Sequence, residues 1–479
     1  MNHQNPSAIP CSWGKSILWV VLAMACFNTA YASIKFPAAG LLIFGYAFAL
    51  VQLTNQPTVR RAFYFGLATG YLCAAPQLFF FWNIFGPAAI VLWLVFAFWI
   101  GLFVAVSCGC IRRWGKLKAA WLIPIIWTGI EYFRSELYYL KFSWLNIGYA
   151  LPAHLIGFWV DHIGMYGAGF LVVVIATLYP FKFLLKLTFK EWILVIPILV
   201  IALALLFPFD SESRSQHVPP IVGVQMEFPP ESIIPQALDH ALAKNTNAQI
   251  FVLSEYTLDG PVPGSLTNWC REHSRFLVVG GKDPVGTNNF YDTAFVVGTN
   301  GDIIFKQAKC VPIQFFKDGL PATNQAVWNS PWGKIGFCIC YDLSYTRVTD
   351  RLVKEGAQLL IVPTMDVADW GRHEHELHSR VAPVRAAEYG IPIFRLASSG
   401  ISQAVDDFGS VIAQTSIGGS DEILAAQLHL PSQGHLPLDR FLAPFCVMVT
   451  GIVTALLLYL TWKDKNHRAI QPPPSTTSS

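Results

Sequence analysis

KIGFCICYDLSYTR, residues 334–347, decides the fold. A short apolar run ends on Cys340 and gives way at once to the polar start of a helix. A thiol at the tip of a buried strand is held rigidly yet can stay reachable, which suits a nucleophile. A cysteine in a strand is also an ordinary small core residue, and Cys338, two positions upstream, reads that way. What separates the two readings is the chemistry that the rest of the chain supplies.

Outward from that stretch, the 479 residues divide by composition. The chain is 53% hydrophobic and only 13% charged, with a mean hydropathy of +0.44. Soluble globular proteins carry about 25% charged residues, so much of this chain is expected in lipid. The net charge of +3, with no Lys/Arg-rich run, argues against a nucleic-acid partner. Residues 1–210 read as a transmembrane bundle of seven helices and 211–438 as a soluble α/β catalytic domain. Residues 439–462 read as a last transmembrane helix, followed by a basic and then Pro/Ser/Thr-rich tail, 463–479.

A spanning helix needs ~20 apolar residues. Eight candidates fall at 14–32, 37–54, 62–83, 86–111, 119–136, 154–181, 190–209 and 441–460. The first has no small-residue cleavage site and leads into another hydrophobic run, so it reads as a retained helix rather than a signal peptide. Arg60 and Arg61, then Arg112, Arg113, Lys116 and Lys118, then Lys182, Lys186 and Lys190, and finally Lys463, Lys465 and Arg468 form four basic clusters. All four fall on one side if both termini are cytoplasmic, which puts the α/β domain beyond the outer face of the membrane.

Within that domain, strands are expected at 221–224, 250–253, 276–280, 293–297, 335–339, 358–362, 393–396 and 411–413, with helices at 232–244, 344–355 and 373–389. Strands alternating with helices argue for an α/β sandwich. Neither a Gly-rich phosphate loop nor a GxSxG elbow is present, so no cofactor is expected. Glu255 closes the strand IFVLSE, and Lys309 follows another strand in FKQAKCVPIQFF. Singly they read as a solvated loop acid and a surface lysine, with Lys306 an equally charged neighbour of the latter. With Cys340 they make a coherent set: the carboxylate takes the thiol proton, the thiolate attacks a carbonyl, and the ammonium stabilises the oxyanion. A free thiol, with a pKa of roughly 8.5, needs such a base at neutral pH.

The order Glu255, Lys309, Cys340, with RAAEYGIPIFR downstream, resembles the nitrilase superfamily, whose triad is Glu-Lys-Cys and whose fold is an αββα sandwich. Eight spans around an outward domain of this kind are similar to the apolipoprotein N-acyltransferases. The carriers are RSELYYLKFSWLNIGYA, LSEYTLDGPVP, ICYD, and the block TMDVADWG…RVAPVRAAEYGIPIFRLASSG running from Thr364 through Gly400. Departures stand beside them. Ser143 precedes Trp144 where the family has Pro, and CVPIQFFKDG lacks the glutamate of the family's LVPFGE. Matching the VP would shift the catalytic lysine to Lys306, whereas keeping Lys309 matches Phe315 without a gap. Asp318 is the candidate substitute for the missing acid, and Asp342, after Tyr341, stands where the family has a longer one.

The resemblance implies a phospholipid acyl donor, a thioester on Cys340, and the diacylglyceryl-cysteine of an apolipoprotein as acceptor. It also implies a monomer in the bacterial inner membrane with a periplasmic catalytic domain. A membrane-bound amidase with water as acceptor, and an inactive scaffold, are the competing readings. Tyr341, Asp342, Asp318, Glu388 and Trp370 are the expected supporting or gating residues, with Arg385 beside Glu388 and with Trp328 and Trp332 also near the site. Trp144, Asn146 and Tyr149 either line a lipid portal or pack the bundle. HEHELH, with His373, His375 and His378, lacks the HExxH spacing and reads as the polar start of the 380–388 helix rather than a zinc site. Arg134 and Glu136 read as structural, ion-paired with the bundle or with headgroups rather than catalytic, and a Cys270–Cys310 bridge stays open.

Overall fold

Two six-stranded sheets stack face to face, so the central strands are buried on both sides. A computed structural model describes residues 12–178, 216–416, 422–431 and 433–470. The first sheet runs, edge to edge, Ile423–Ala426, Ile221–Val224, Ile250–Leu253, Phe276–Val285, Asn289–Val297 and Ile303–Ala308. The second runs Val411–Gln414, Gln403–Val405, Ile393–Ala397, Leu359–Thr364, Gly333–Phe337 and Val327–Ser330. Each has a parallel centre and antiparallel edges.

Side-chain alternation assigns the layers. Phe251 and Leu253 pack with Leu238, Ala241, Leu266 and Trp269 of helices Ile234–Lys244 and Gly264–His273. Ile250 and Val252 turn the other way, into the core shared with Phe337, Leu360 and Leu396 of the second sheet. At Gly223 the sheets come so close that a Cβ would lie 2.3 Å from Leu396. Helices Thr346–Lys354 and Val381–Tyr389 cover the second sheet, completing an αββα sandwich. Strands 303–308, 327–330, 403–405 and 423–426 and helix 264–273 carry no clean apolar period, and only the fold brings them out.

Among the described residues, four helices are long and apolar enough to cross a bilayer: Trp13–Ala30, Phe80–Trp114, Trp159–Leu178 and Asp439–Asn466. The expected spans at 37–54 and 119–136 fold as helical stretches of 17 residues, Pro37–Leu53 and Lys116–Tyr132. Pro37–Leu42 is the longer-rising 3₁₀ form, and Lys116–Tyr132 runs straight on into a π-helical turn, Phe133–Leu137, so both come close to the ~30 Å of a hydrocarbon core. The span at 62–83 forms Val59–Gln77, which opens on Arg60 and Arg61 and carries Pro76. It packs on Ala89–Trp114 through small residues, since a Cβ on Gly70 would sit 2.7 Å from the Ala97 Cα. The expected span at 190–209 lies outside the described residues.

Candidate active site

Loops from strand ends that are not adjacent, drawn from both sheets, converge on one buried ammonium. Glu255 follows strand Ile250–Leu253, and Lys309 follows Ile303–Ala308, anchored by its own N–H donating to the Asp292 carbonyl (2.8 Å). The Lys309 Nζ donates to Glu255 Oε1 at 2.6 Å and contacts Asp318 Oδ2 at 2.8 Å, with Asp292 Oδ2 at 3.5 Å. Lys306, the competing lysine, instead pairs with Asp283 (2.9 Å) on the surface, its side chain 47% exposed. Asp318 accepts from the Ile313 N–H (2.7 Å) and the Tyr256 hydroxyl (2.8 Å), so it folds the loop after the lysine back onto the ammonium.

Cys340 sits between strand Gly333–Phe337 and the tight turn Cys340–Ser344 at φ 49°, left-handed backbone that non-glycine residues seldom adopt outside functional sites. Asp342 holds that turn: it accepts from the N–H of Ile339 (3.3 Å), Cys310 (3.0 Å) and Val311 (2.7 Å), tying the cysteine's turn to the lysine's loop. Its shorter side chain therefore still spans the gap. Met365 couples the other pair, its N–H donating to Glu255 Oε2 (2.7 Å) while its carbonyl lies 3.8 Å from the Cys340 sulfur.

Charge follows from this packing. Burial alone would lower the Lys309 ammonium, but Asp318 and Glu255, then Cys340 and Asp292, outweigh it and hold it well above the usual lysine range. Burial and then the Glu255 charge push the Asp292 carboxyl well above its ordinary range, so it is neutral. The Cys340 thiol is pushed far up by burial and by Glu255, Lys309 acting the other way. At rest Cys340 is a thiol, which could act as a nucleophile only with the help of a base.

The thiol opens into an apolar cavity shared with the bundle, lined among others by Phe81, Phe85, Trp99, Phe315, Phe316 and Trp370. Phe315 and Phe316 lie on the loop after Lys309, touch Phe85 at centroid distances of 6.0 and 5.7 Å, and are 66% and 37% exposed. Trp370 closes on Phe316 (6.0 Å). Trp144 is part of this wall; its indole N–H donates to Ser344 Oγ (2.9 Å), and the Tyr341 hydroxyl donates to the Lys141 carbonyl (2.9 Å), so the nucleophile's turn is bolted to the bundle. Asn146 and Tyr149 pack the bundle instead.

Several expectations need correction. Glu388 does not reach the triad: it pairs with Arg385 and accepts from Arg440 (3.0 Å) and the Met165 N–H (3.0 Å), because its helix face turns toward the bundle. It acts through Arg385, which donates to the Leu343 and Ser344 carbonyls at 3.1 and 2.9 Å. Trp328 and Trp332 pack on Phe276 (5.5 and 5.4 Å), at the strand edge and away from the cavity lining. Arg134 and Glu136, by contrast, are structural as expected, each with its own partner: Arg134 lies 3.9 Å from Glu131, and Glu136 4.0 Å from Arg385. Arg134 donates to Asn146 (2.7 Å), whereas Glu136 accepts from Tyr166 (3.1 Å). The 373–389 helix is two, Arg372–Ser379 and Val381–Tyr389, broken at Arg380. Cys270 and Cys310 are free thiols.

Among the described residues, two groups of buried ligand-type atoms come within 4.8 Å of one another, Glu255/Asp292/Asp318 and Asp366/Glu374/His378. Lys309 supplies the cation of the first. In the second, Asp366 is paired with Arg395 (2.6 Å) and bonded to His378 (2.7 Å), so its negative charge is matched. Arg395 and His378 hold Asp366 well below the carboxylate range against the pull of burial. Burial pushes His378, stacked on Trp144 (4.4 Å, 17°), down to about 4. The unfolded chain then binds a proton that the folded protein refuses, so stability should fall as pH drops from 6.5 toward 4, by up to roughly 3 kcal/mol. Thermal melts in detergent at pH 7 and 4.5 should show a smaller drop for His378→Gln than for the unaltered protein.

Asp292, Met365 and Glu374 escaped the sequence reading. Asp292 left a signal: it shares the inward phase of Ala294 and Val296, where an acid needs a partner. Met365 contributes only backbone, which no residue type announces.

Comparison with known proteins places both parts of the chain. Residues 14–178 match the apolipoprotein N-acyltransferase N-terminal domain and residues 216–436 the carbon-nitrogen hydrolases. The chain is 23% identical over 500 aligned positions to an apolipoprotein N-acyltransferase of Geobacter metallireducens, covering 90% of this chain and 94% of that one. A second, from Shewanella oneidensis, is 22% identical over 382 positions, covering 68% and 72%. The deaminated glutathione amidase of Rattus norvegicus is 26% identical over 238 positions, covering 44% of this chain and 72% of its own. Membrane helices and a nitrilase-like sandwich thus occur together, in that order, along one polypeptide: the chain belongs to the apolipoprotein N-acyltransferase family of the nitrilase superfamily.

Proposed function

We propose that this membrane protein transfers a fatty acyl group from a phospholipid, through a thioester on Cys340, to the α-amino group of the N-terminal diacylglyceryl-cysteine of lipoproteins. The observation that carries this reading is the cavity: the thiol faces an apolar chamber built jointly by bundle and lid aromatics, fit for an acyl chain rather than a small polar amide. The reading includes eight spans, both termini in the cytoplasm, a monomer in the inner membrane, and residues 211–438 as the periplasmic catalytic unit.

In the first half-reaction the Cys340 sulfur attacks the ester carbonyl and its proton passes to Glu255. Lys309 stabilises the oxyanion, the C–O bond breaks, and the lysophospholipid oxygen leaves with that proton. In the second, the acceptor amine attacks the thioester carbon and the C–S bond breaks, restoring the thiol. Between the two, the aromatic lid shields the thioester from water. Asp292, being neutral, adds no further negative charge beside the nascent oxyanion.

The test is mass spectrometry of purified protein incubated with phospholipid alone, then with a diacylglyceryl-cysteine peptide. A fatty-acyl increment on the Cys340 peptide, discharged onto the amine, is the expected result. Free fatty acid without amine acylation would make it a hydrolase, and no adduct with either lipid would make it a scaffold.

A further inference from the structure

Glu374 is the one carboxylic acid among the described residues that line the Cys340 cavity. It is 1% exposed, and neither of its oxygens has a hydrogen-bond partner. Its nearest polar neighbours are committed elsewhere. His375 Nε2, 3.6 Å away, bonds the Val367 carbonyl at 3.0 Å, and His378 Nδ1, 3.9 Å away, bonds Asp366 at 2.7 Å. A buried polar group left unpaired costs about 1–3 kcal/mol, so a vacant acceptor on a reaction cavity calls for a ligand that fills it. Of the other buried acids around the site, Glu255 and Asp318 are engaged by Lys309, and Asp366 by Arg395 and His378. Asp292, also without a hydrogen bond, lies 3.5 Å from the Lys309 ammonium and outside the cavity lining. An ester oxygen of the donor lipid could take the O–H of a protonated Glu374, but ester and acyl chain offer no N–H to its carbonyl oxygen. The second substrate does.

We infer that Glu374 receives the α-amino group of the acceptor in the second half-reaction, accepting one N–H while the nitrogen lone pair is left to attack the thioester. This rests on the acyl-transfer reading above. Burial and the Asp366 charge keep the Glu374 carboxyl well above its ordinary range, so it is a neutral acid. That suits the chemistry: an ionised carboxylate would hold the ligand as an ammonium, which has no lone pair to offer. The incoming ammonium gives one proton to water as it enters the apolar cavity, where the neutral form is favoured. The lone pair then forms the C–N bond, and the C–S bond breaks with its electron pair going to sulfur. The proton that the nitrogen loses ends on that sulfur by way of Glu255.

Single-turnover kinetics in detergent separate the two steps. The acyl-enzyme is formed from labelled phospholipid and then chased with an S-diacylglyceryl-cysteine peptide. Glu374→Leu should form the acyl-enzyme within about threefold of the unaltered rate yet discharge it to the peptide roughly 10- to 100-fold more slowly, the worth of one such hydrogen bond. Glu374→Gln, which keeps an acceptor oxygen, should discharge within about threefold of the unaltered rate. Glu374→Met carries the same expectation as the leucine variant and stands in for it should that variant misfold. Equal slowing of both steps, unaltered discharge by the apolar variants, or a loss in Glu374→Gln matching theirs overturns the inference. Absence of any acyl-enzyme in the unaltered protein is a separate result: it removes the acyl-transfer reading, and this inference with it.

Discussion

Lys309→Met should abolish acyl-enzyme formation and destabilise the protein by about 3–5 kcal/mol, the usual consequence of removing one member of a buried ionic cluster. Few single substitutions here should do both. The Lys309 ammonium is the shared partner of Glu255, Asp318 and Asp292, all three buried. Without it, carboxyl groups packed around an apolar stem must either stay charged without a counter-ion or take up protons. The pH dependence tests the cause. In the variant the folded state binds protons that the unfolded chain would release, so its deficit should shrink as pH falls from 7 toward 5. Melting in detergent across that range would show the convergence, and a deficit independent of pH would mean that the lysine acts through packing alone.

Cys340→Ser should leave the melting temperature within a few degrees and lower acyl transfer by at least roughly 10⁴-fold, as losing the nucleophile does in enzymes that work through a covalent intermediate. Serine differs by one atom, and the turn is held by Asp342 and Arg385 rather than by the thiol. A hydroxyl is a far weaker acid than a thiol, and Glu255 is already shared with Lys309 and the Met365 N–H, so a serine here gains no activated nucleophile. Mass spectrometry should find no acyl increment on the 340 peptide. Retained transfer would move the nucleophile elsewhere, with Cys310 and Cys338 the thiols to examine next.

The parts of this molecule that a sequence discloses are those whose pattern is local. Strands 221–224 and 250–253 are visible because both faces are buried and the runs are apolar throughout. The triad is visible because each member follows a strand, and chemistry restricts the residue types. Edge strands 303–308 and 327–330 mix exposed and buried positions without strict alternation, so only pairing to a neighbour defines them. Choosing Lys309 over Lys306 needed three dimensions. The two are three residues apart near one strand end, and only the partners, Asp283 against Glu255 and Asp318, tell them apart. Asp318 was legible as a substitute acid, but that it grips both the ammonium and Tyr256 was not. Glu388 misled for a related reason: a charged helix can face sheet or bundle, and periodicity does not say which.

The bolts from Trp144 to Ser344 and from Tyr341 to Lys141 join the reactive turn to residues at the rim of the helices. The elevation of the sulfur over the helices is consequently a property of the polypeptide and not of the surrounding lipid. In a thicker or thinner bilayer the helices would meet the mismatch by tilting or by deforming the lipid around them. The sulfur would travel with them, keeping its distance from their ends.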